Sequence, residues 1–148
     1  MVNITRILHP TDFSDNSRPA LAYASDFARQ FHAELHILSV VDSRLFTGIP
    51  ADPGFFPPEY MEEYLKVVEK QMADLTFEGI SELKKIIRVV RSGLAIIEII
   101  NYARDAKIDL IVMGTHGRTG LKHVLIGSVA ENVVRKAGCP VLTVRSVE

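Results

Sequence analysis

The chain alternates between two kinds of segment, and this alternation restricts its fold more than any other feature. Short apolar runs rich in β-branched residues are typical of buried strands. Between these runs, apolar residues recur every three or four positions, which places them on one face of a helix. The predicted strands are Ile4–Leu8, Leu35–Val41, Ile86–Val90, Leu110–Met113 and Val141–Val144, and the predicted helices fall within residues 21–31, 61–75, 96–103 and 129–134.

Five strands that alternate with four helices predict a parallel sheet covered on both faces, because parallel strands need crossover connections and these are right-handed. We therefore expect an α/β fold with an open, doubly wound, five-stranded parallel sheet, formed by one domain over residues 1–148. The end of the second helix is open at this point, since Thr76, Gly79 and Lys84 are alternative stops. The long connection 42–58 carries four of the seven prolines and is either a lid over the carboxyl edge or a passive insertion.

The charge balance and cysteine content argue against several classes of protein. With 17 Lys and Arg against 18 Asp and Glu, the formal charge is -1, so there is no basic surplus for sequence-independent nucleic-acid binding. The single cysteine, Cys139, cannot form an intrachain disulfide. Arg6, Asp12 and Asp15 interrupt any signal peptide, and no uncharged apolar run has membrane-spanning length. We expect a soluble cytoplasmic protein without a nucleic-acid or membrane partner.

Three common nucleotide and phosphate signatures are missing. The turn after the first strand, Pro10–Ser14, has no glycine, whereas a dinucleotide fold needs Gly-x-Gly-x-x-Gly there. No glycine pair has the Walker spacing followed by Lys, which argues against a classical P-loop NTPase. The third strand is followed by Arg91, Ser92 and Gly93, where a phospho-receiver domain would carry its acceptor Asp. Binding of NAD and phospho-receiver chemistry are therefore disfavoured.

Glycines are concentrated after the fourth strand, where Gly114 and Gly117 are followed by Gly127 and Ser128 at the start of the fourth helix. The first two glycines either bring the backbone close to a ligand or adopt a positive φ, and successive amides in such a turn bind anions. The helix start offers unpaired N–H donors and its positive dipole to a phosphate. Ser128 with Glu131 also fits a capping box, which would use the serine to close the helix instead.

The spacing Gly-x2-Gly-x9-Gly-Ser, formed by these three glycines and the serine, resembles the ATP-binding branch of the universal stress protein family. The likeness covers essentially the whole chain and extends to Pro10–Ser14, Ser39–Asp42, Met113–Gly117 and Cys139–Val144. It implies an adenine nucleotide alpha hydrolase-like fold with strand order 3-2-1-4-5. One departure follows Gly93, where the family often has Gly-x-Pro and this chain continues with Leu and Ala.

By this resemblance the ligand is ATP, and its parts are assigned to separate segments. Asp12 and the backbone of Val40 would face the adenine and ribose. The glycine pair after the fourth strand would line the ribose and first phosphates, and the first residues of the fourth helix would hold the outer phosphates. A Mg²⁺ ion would be held mainly by the phosphates, without a protein metal site. The residues expected at the nucleotide are Pro10, Thr11, Asp12, Val40, Met113, Gly114, Thr115, His116, Gly117, Arg118, Gly127, Ser128 and Val129.

Some of these side chains have competing interpretations. Arg118 either pairs with a phosphate or is solvated, and His116 is expected to do little more than pack. Asp12 also fits an acid at the start of the first helix. The loop offers no carboxylate or Gln suited to positioning a hydrolytic water, so we expect slow or partner-dependent ATP hydrolysis at most.

The resemblance implies a stress-response regulatory protein whose ATP occupancy alters its contacts with an unidentified protein partner. The alternatives are a slow ATP hydrolase or adenylyl-transfer enzyme on the same fold, and a dimeric scaffold that binds no nucleotide. The last strand would lie at a sheet edge, and an exposed apolar edge is a liability unless it is paired. We therefore expect a homodimer through Pro140–Arg145.

Overall fold

A computed structural model describes residues 1–48, 54–117 and 125–147. Within these ranges the chain forms five strands, which are β1 (Arg6–Pro10), β2 (Glu34–Asp42), β3 (Lys85–Gly93), β4 (Leu110–Gly114) and β5 (Val141–Val144). Its four α-helices are α1 (Arg18–Phe31), α2 (Met61–Asp74), α3 (Ala95–Asp105) and α4 (Ser128–Lys136). Short 3₁₀ turns lie at Asp15–Ser17, Ser43–Phe46, Pro58–Tyr60 and Ile80–Glu82. No helix in the three ranges is long and apolar enough to cross a membrane.

The five strands form one parallel sheet in the order β3-β2-β1-β4-β5. This confirms the expected α/β class and strand order. The chain proceeds from the central strand β1 to β2 on one side, and it returns at β4 on the other side of β1. In a doubly wound sheet, such a switch point opens a crevice outside the carboxyl ends of the strands. The residues that follow β1 and β4 therefore meet at one edge of the sheet.

Helices cover both faces of the sheet. Successive residues of β1 point to opposite faces, so that Ile7 packs with α1 and α2 whereas Leu8 packs with α3 and α4. Both side chains are fully buried. Burial on two faces explains why the strands are continuous apolar runs in the sequence rather than alternating ones.

The first strand begins two residues later than predicted and continues to Pro10. The amides of Thr5 and Arg6 donate to the Asp109 carboxylate at 2.8 and 3.0 Å, and pairing with β4 begins only at Ile7. The predicted start at Ile4 is therefore wrong, because a carboxylate takes the place of a strand partner there.

The second helix ends at Asp74, earlier than any of the three stops that the sequence offered. Leu75 is extended, and it packs with Phe77 against the core between α1 and the sheet, which draws the chain away from the helix. Gly79 does adopt a left-handed conformation, with φ +77°, but it precedes the Ile80–Glu82 turn and does not cap α2. The helical spacing of apolar residues extends past the end of α2 because Leu75 packs against the core in an extended conformation rather than on a helix face.

Candidate functional site

A cavity of about 500 Å³ opens at the carboxyl edge of the sheet, at the switch point between β1 and β4. Its walls come from the ends of β1 and β2, the residues after β4, and the first turns of α3 and α4. Twelve of the thirteen residues expected at the nucleotide line this cavity, and Arg118 lies outside the described residues. The fold thus brings the expected residues together around one space, while their role in binding stays a prediction.

Seven further residues line the cavity that the sequence analysis did not place there. They are mostly apolar and give the cavity its apolar wall; they are Ser17, Leu38, Ala95, Ile99, Ile126, Ala130 and Glu131. The apolar ones were expected to have no role beyond packing, and Glu131 was assigned to a capping box rather than to the site. A signal was nonetheless present, since Leu38 lies two residues before Val40 on one strand and therefore shares its face. Ala95 and Ile99 are likewise four apart on one helix.

The turn after β1 is held by its own side chains, so that Asp12 faces the loop after β4. Asp12 Oδ1 accepts hydrogen bonds from the amide and hydroxyl of Ser14 at 2.9 and 2.5 Å. Phe13 between them is left-handed, with φ 62°. Asp12 thus bonds the residue before the Asp15–Ser17 turn, whereas α1 begins at Arg18. Its two interpretations, as a binding residue and as an acid at the start of this helical segment, stay predictions.

The hydroxyl groups of Thr11 and Ser17 also hold the turn that carries Asp12. Thr11 Oγ1 accepts from the amide of Phe13 at 3.0 Å and lies 3.2 Å from Ser17 Oγ. Ser17 Oγ in turn donates to the carbonyl of Ser14 at 2.8 Å. Thr11 and Ser17 are both buried, so these bonds are shielded from water. The turn that carries Asp12 is therefore a preorganised wall of the cavity.

The three glycines of the loop allow close approach of neighbouring atoms. A Cβ on Gly114 would lie 3.1 Å from the carbonyl oxygen of Asn16, and one on Gly127 would lie 3.0 Å from the carbonyl oxygen of Thr115. At Gly117 it would lie 3.0 Å from Asp12 Oδ2. None of the three has a positive φ. The positive φ allowed by the sequence is therefore not adopted at Gly114 or Gly117, and close approach of their backbone to a ligand stays a prediction.

The residues at the start of α4 line the cavity. Gly127 is the extended N-cap residue and Ser128 is the first helical residue, with no side-chain cap hydrogen bond. The carboxylate of Glu131 pairs with Arg135 at 2.9 Å. The capping box suggested by the sequence is therefore not formed. The amides of Ser128, Val129 and Ala130 have no acceptor within the helix, and all three residues line the cavity.

The described charged side chains around the cavity are acidic, and its positive potential comes from backbone dipoles. Among the described lining residues, the carboxylates are those of Asp12 and Glu131, and no Lys or Arg is present. The compensating positive potential comes from the amides and dipole at the start of α4. His116 Nδ1 lies 3.0 Å from Thr115 Oγ1, which agrees with a packing role for this ring.

The long connection between β2 and α2 packs against α2 where it is described. The ring of Phe46 is buried and lies 6.0 Å from Phe56 and 5.8 Å from Tyr64. The amide of Phe56 donates to the carbonyl of Leu45 at 2.9 Å. No described residue of this connection lines the cavity, and residues 49–53 lie outside the described part. Where it is described, this connection contacts α2 rather than the cavity, and the choice between a lid and a passive insertion stays open.

Comparison with known proteins identifies a family that matches this chain. The model of the universal stress protein family matches residues 3–145 of the chain. Universal stress protein MJ0531 of Methanocaldococcus jannaschii is 38% identical over 151 residues, which cover 95% of this chain and 81% of that protein.

Solved structures agree with the sequence comparison. The structure of protein MJ0577, from the same organism, superposes with a TM-score of 0.86 at 32% identity and covers 99% of both chains. Two more distant structures share the fold. One is a universal stress protein in complex with cAMP, with TM-score 0.64 and 23% identity over 98% of this chain and 99% of that one. The other, from Archaeoglobus fulgidus in complex with dAMP, has TM-score 0.62 and 17% identity over 98% of this chain and 100% of that one.

Proposed function

The chain belongs to the universal stress protein family, and from that premise we propose that it binds ATP in the cavity at the carboxyl edge of its sheet. The observation that carries this proposal is the convergence of the Asp12 turn, the glycine loop and the start of α4 on one cavity of about 500 Å³. That volume lies within the usual range of small-molecule sites. The relatives solved with cAMP and dAMP support an adenine nucleotide as the class of ligand.

The apolar wall of the cavity suits a flat base, and the Asp12 turn suits a sugar. Val40, Ile99 and Met113 present apolar surface on the side of α3. The backbone of Val40 would hydrogen-bond the adenine edge, and the Asp12 carboxylate would accept hydrogen bonds from ribose hydroxyl groups. This places the base between the sheet and α3, with the sugar turned towards Gly114 and Gly117.

The phosphates would then point at the start of α4, where backbone amides receive them. Such a site needs few cationic side chains, which is consistent with the near-neutral charge of the chain. The described residues contain no group of three His, Cys, Asp or Glu side chains that could hold a metal ion. Mg²⁺ keeps several waters and is commonly bound by substrate phosphates, so an ion carried in by the nucleotide would be held mainly by the phosphates.

A regulatory role suits this site better than rapid hydrolysis. The Glu131 carboxylate pairs with Arg135, Asp12 Oδ1 is bonded to Ser14, and His116 Nδ1 lies against Thr115. None of these groups is arranged to orient a water at an outer phosphate. ATP would therefore act mainly as a bound ligand that alters contacts with a partner, with slow or partner-dependent turnover.

Self-association through the last strand is the second part of this proposal. β5 is an edge strand that pairs only with β4 within the described residues. Antiparallel pairing with its own copy across a two-fold axis would cover the exposed edge. We expect a homodimer formed through Pro140–Arg145.

The binding proposal is tested by titrating ATP with Mg²⁺ into three purified proteins in a calorimeter. The wild-type chain should bind, and Gly117→Val should abolish binding, because its side chain would displace Asp12 and enter the loop. The matched control is Gly54→Val, since a Cβ at Gly54 has no atom within 4 Å. The control should bind as the wild type does. Unchanged affinity in Gly117→Val would refute the assigned cavity.

A further inference from the structure

Asn16 touches the loop after β4 although it does not line the cavity. It is half-buried in the Asp15–Ser17 turn, between β1 and α1. Its Nδ2 donates to the carbonyl oxygen of Gly117 at 3.1 Å, and its Oδ1 accepts from Ser146 Oγ at 3.2 Å. One side chain therefore joins the glycine loop to the segment that follows β5.

The orientation of this amide is determined by its partners. The carbonyl of Gly117 can only accept a hydrogen bond, so the NH₂ group of Asn16 must face it. The amide oxygen then faces Ser146, whose hydroxyl can donate. An aspartate at this position would keep the acceptor and lose the donor, and an alanine would lose both.

The backbone of Asn16 contacts the same loop at its other end. The Asn16 carbonyl oxygen lies 3.1 Å from the position of a Cβ on Gly114. The turn around Asn16 is itself held by Ser17, whose amide and hydroxyl both donate to the carbonyl of Ser14. Ser14 is bonded to Asp12. A shift of the Gly117 backbone would therefore move Asn16, because the rest of the Asp15–Ser17 turn is held by the bonds of Ser17 and Ser14.

The segment after β5 lies beside the loop for a second reason. Gly114 is in register with Val144, and the amide of Thr115 donates to the carbonyl of Val144 at 3.1 Å. Arg145 and Val147 are exposed on either side of half-buried Ser146. The pairing of β5 thus brings this short segment, residues 145–147, to the loop, and the bond from Ser146 to Asn16 fastens it there.

We propose that Asn16 is a positioning residue that couples the nucleotide loop to residues 145–147. A nucleotide that holds the backbone of Gly117 would hold Asn16 and, through it, Ser146. By thermodynamic linkage, loss of the Ser146 bond weakens nucleotide binding by the same factor by which a bound nucleotide strengthens that bond. The segment continues directly from the edge strand proposed for self-association, so this link gives nucleotide occupancy a route to that edge. The inference rests on the proposed binding of ATP.

The first test is a double-mutant cycle on ATP affinity measured by calorimetry. Asn16→Asp and Asn16→Ala should each weaken binding by about threefold to tenfold, the usual range for one lost hydrogen bond. Ser146→Ala should weaken binding in the wild type and have no effect in the Asn16→Ala background. Ser146 does not line the cavity, so a merely structural role would not give this non-additivity. Equal losses in both backgrounds would overturn the coupling.

Matched controls separate the link from general damage. Asn101→Ala removes an amide from α3, and Ser81→Ala removes an exposed hydroxyl from the Ile80–Glu82 turn. Both controls should keep the wild-type affinity. Thermal unfolding of every variant should stay within a few degrees of the wild type. If Asn16→Ala loses its folded structure, Asn16→Asp takes its place in the cycle, because it also lacks the donor to Gly117.

Hydrogen exchange provides a readout that does not depend on the proposed function. In the protein without nucleotide, Asn16→Ala should speed amide exchange at residues 145–147 several-fold, and an unchanged rate would overturn the link. With saturating ATP, exchange there should slow in the wild type and not in Asn16→Ala. If the wild type binds no ATP, the proposed function fails while the first comparison still decides the coupling.

Discussion

His9 lies on β1, one residue before the segment that lines the cavity, and it is fully buried. Its Nδ1 lies 2.9 Å from the carbonyl oxygen of Val112, which makes this nitrogen the protonated one, and its buried Nε2 has no hydrogen-bond partner among the described residues. Burial lowers the pKa of His9 from 6.5 to about 4, although the bond to Val112 opposes the shift. The ring is therefore neutral at pH 7.

This burial predicts acid sensitivity in a defined range. Because the folded pKa is depressed, the unfolded chain binds more protons between pH 6.5 and about 4, and stability falls as the pH drops through that window. The contribution of one such group is up to about 1.4 kcal/mol per pH unit. His9→Asn, which keeps a donor for Val112, should flatten the dependence. The measurement is urea unfolding at pH 7, 6 and 5.

The comparison isolates His9 because the other titrating groups are common to both proteins. Burial also lowers the pKa of His36, which adds a dependence of the same sign in the wild type and in the variant. Parallel stability curves for the two proteins would contradict the assignment to His9.

At this same scale, the sequence located the site glycines but left their role open. Their spacing carries no information on φ, and both close approach and a left-handed backbone were consistent with it. The structure shows that neither Gly114 nor Gly117 adopts a positive φ, and their approach to a ligand stays a prediction. The apolar lining at Leu38 and Ile99 was missed for a related reason. A residue that faces a cavity has the same apolar pattern as one that faces a core.

At the scale of elements, the position of Ser128 in α4 distinguishes a helix-capping role for this serine from a role in binding. Ser128 is the first helical residue and its side chain does not cap the helix. Its amide is one of the helix-start donors that line the cavity. A serine in a capping box would instead stabilise the helix whether or not a ligand is present.

Ser128→Ala keeps the amide and removes the hydroxyl, which would be a further donor to a phosphate, so it should weaken ATP binding several-fold and leave stability nearly unchanged. Loss of a true N-cap residue costs about 0.5–2 kcal/mol, whereas we expect a change in the free energy of unfolding below about 0.5 kcal/mol. Calorimetry and urea unfolding measure the two quantities on the same protein. A large loss of stability with unchanged affinity would assign the serine to the helix rather than to the ligand.

The existence of elements was easier to predict than their ends. All five strands and four helices were expected from periodicity, but the end of α2, the start of β1 and the end of β3 were not. Arg91, Ser92 and Gly93 were placed after the third strand, and they pair with β2 as the last residues of β3. The other two ends depend on contacts that are remote in sequence. The Asp109 carboxylate delays β1, and burial of Leu75 and Phe77 against α1 ends α2.

For the whole molecule, the alternation of strands and helices was enough to predict a doubly wound parallel sheet. The order 3-2-1-4-5 came from the family resemblance and is the order observed. That order puts β5 at an edge. The carbonyls of Pro140 and Val144 accept from the amides of Ile111 and Thr115. Even-numbered positions of β5 thus face β4, and the amide of Thr143 points away from the sheet.

The outward amide of Thr143 offers a direct test of the proposed dimer. Thr143→Pro would remove a donor from the free edge without removing a bond to β4, and an edge strand tolerates proline. We expect light scattering at micromolar concentration to give a dimer for the wild type and a monomer of about 16.5 kDa for Thr143→Pro. Thr143→Val, which keeps the amide, should remain dimeric. A monomeric wild type, or a dimeric proline variant, would contradict pairing through β5.

The most direct test of the central claim is a crystal structure of the chain grown with saturating ATP and Mg²⁺. We predict a nucleotide in the cavity between β1 and β4, with the adenine against Val40 and Ile99. Its outer phosphates should lie within hydrogen-bond distance of the amides of Ser128 and Val129. An empty cavity at saturating ATP, or a nucleotide bound elsewhere on the molecule, would contradict the account.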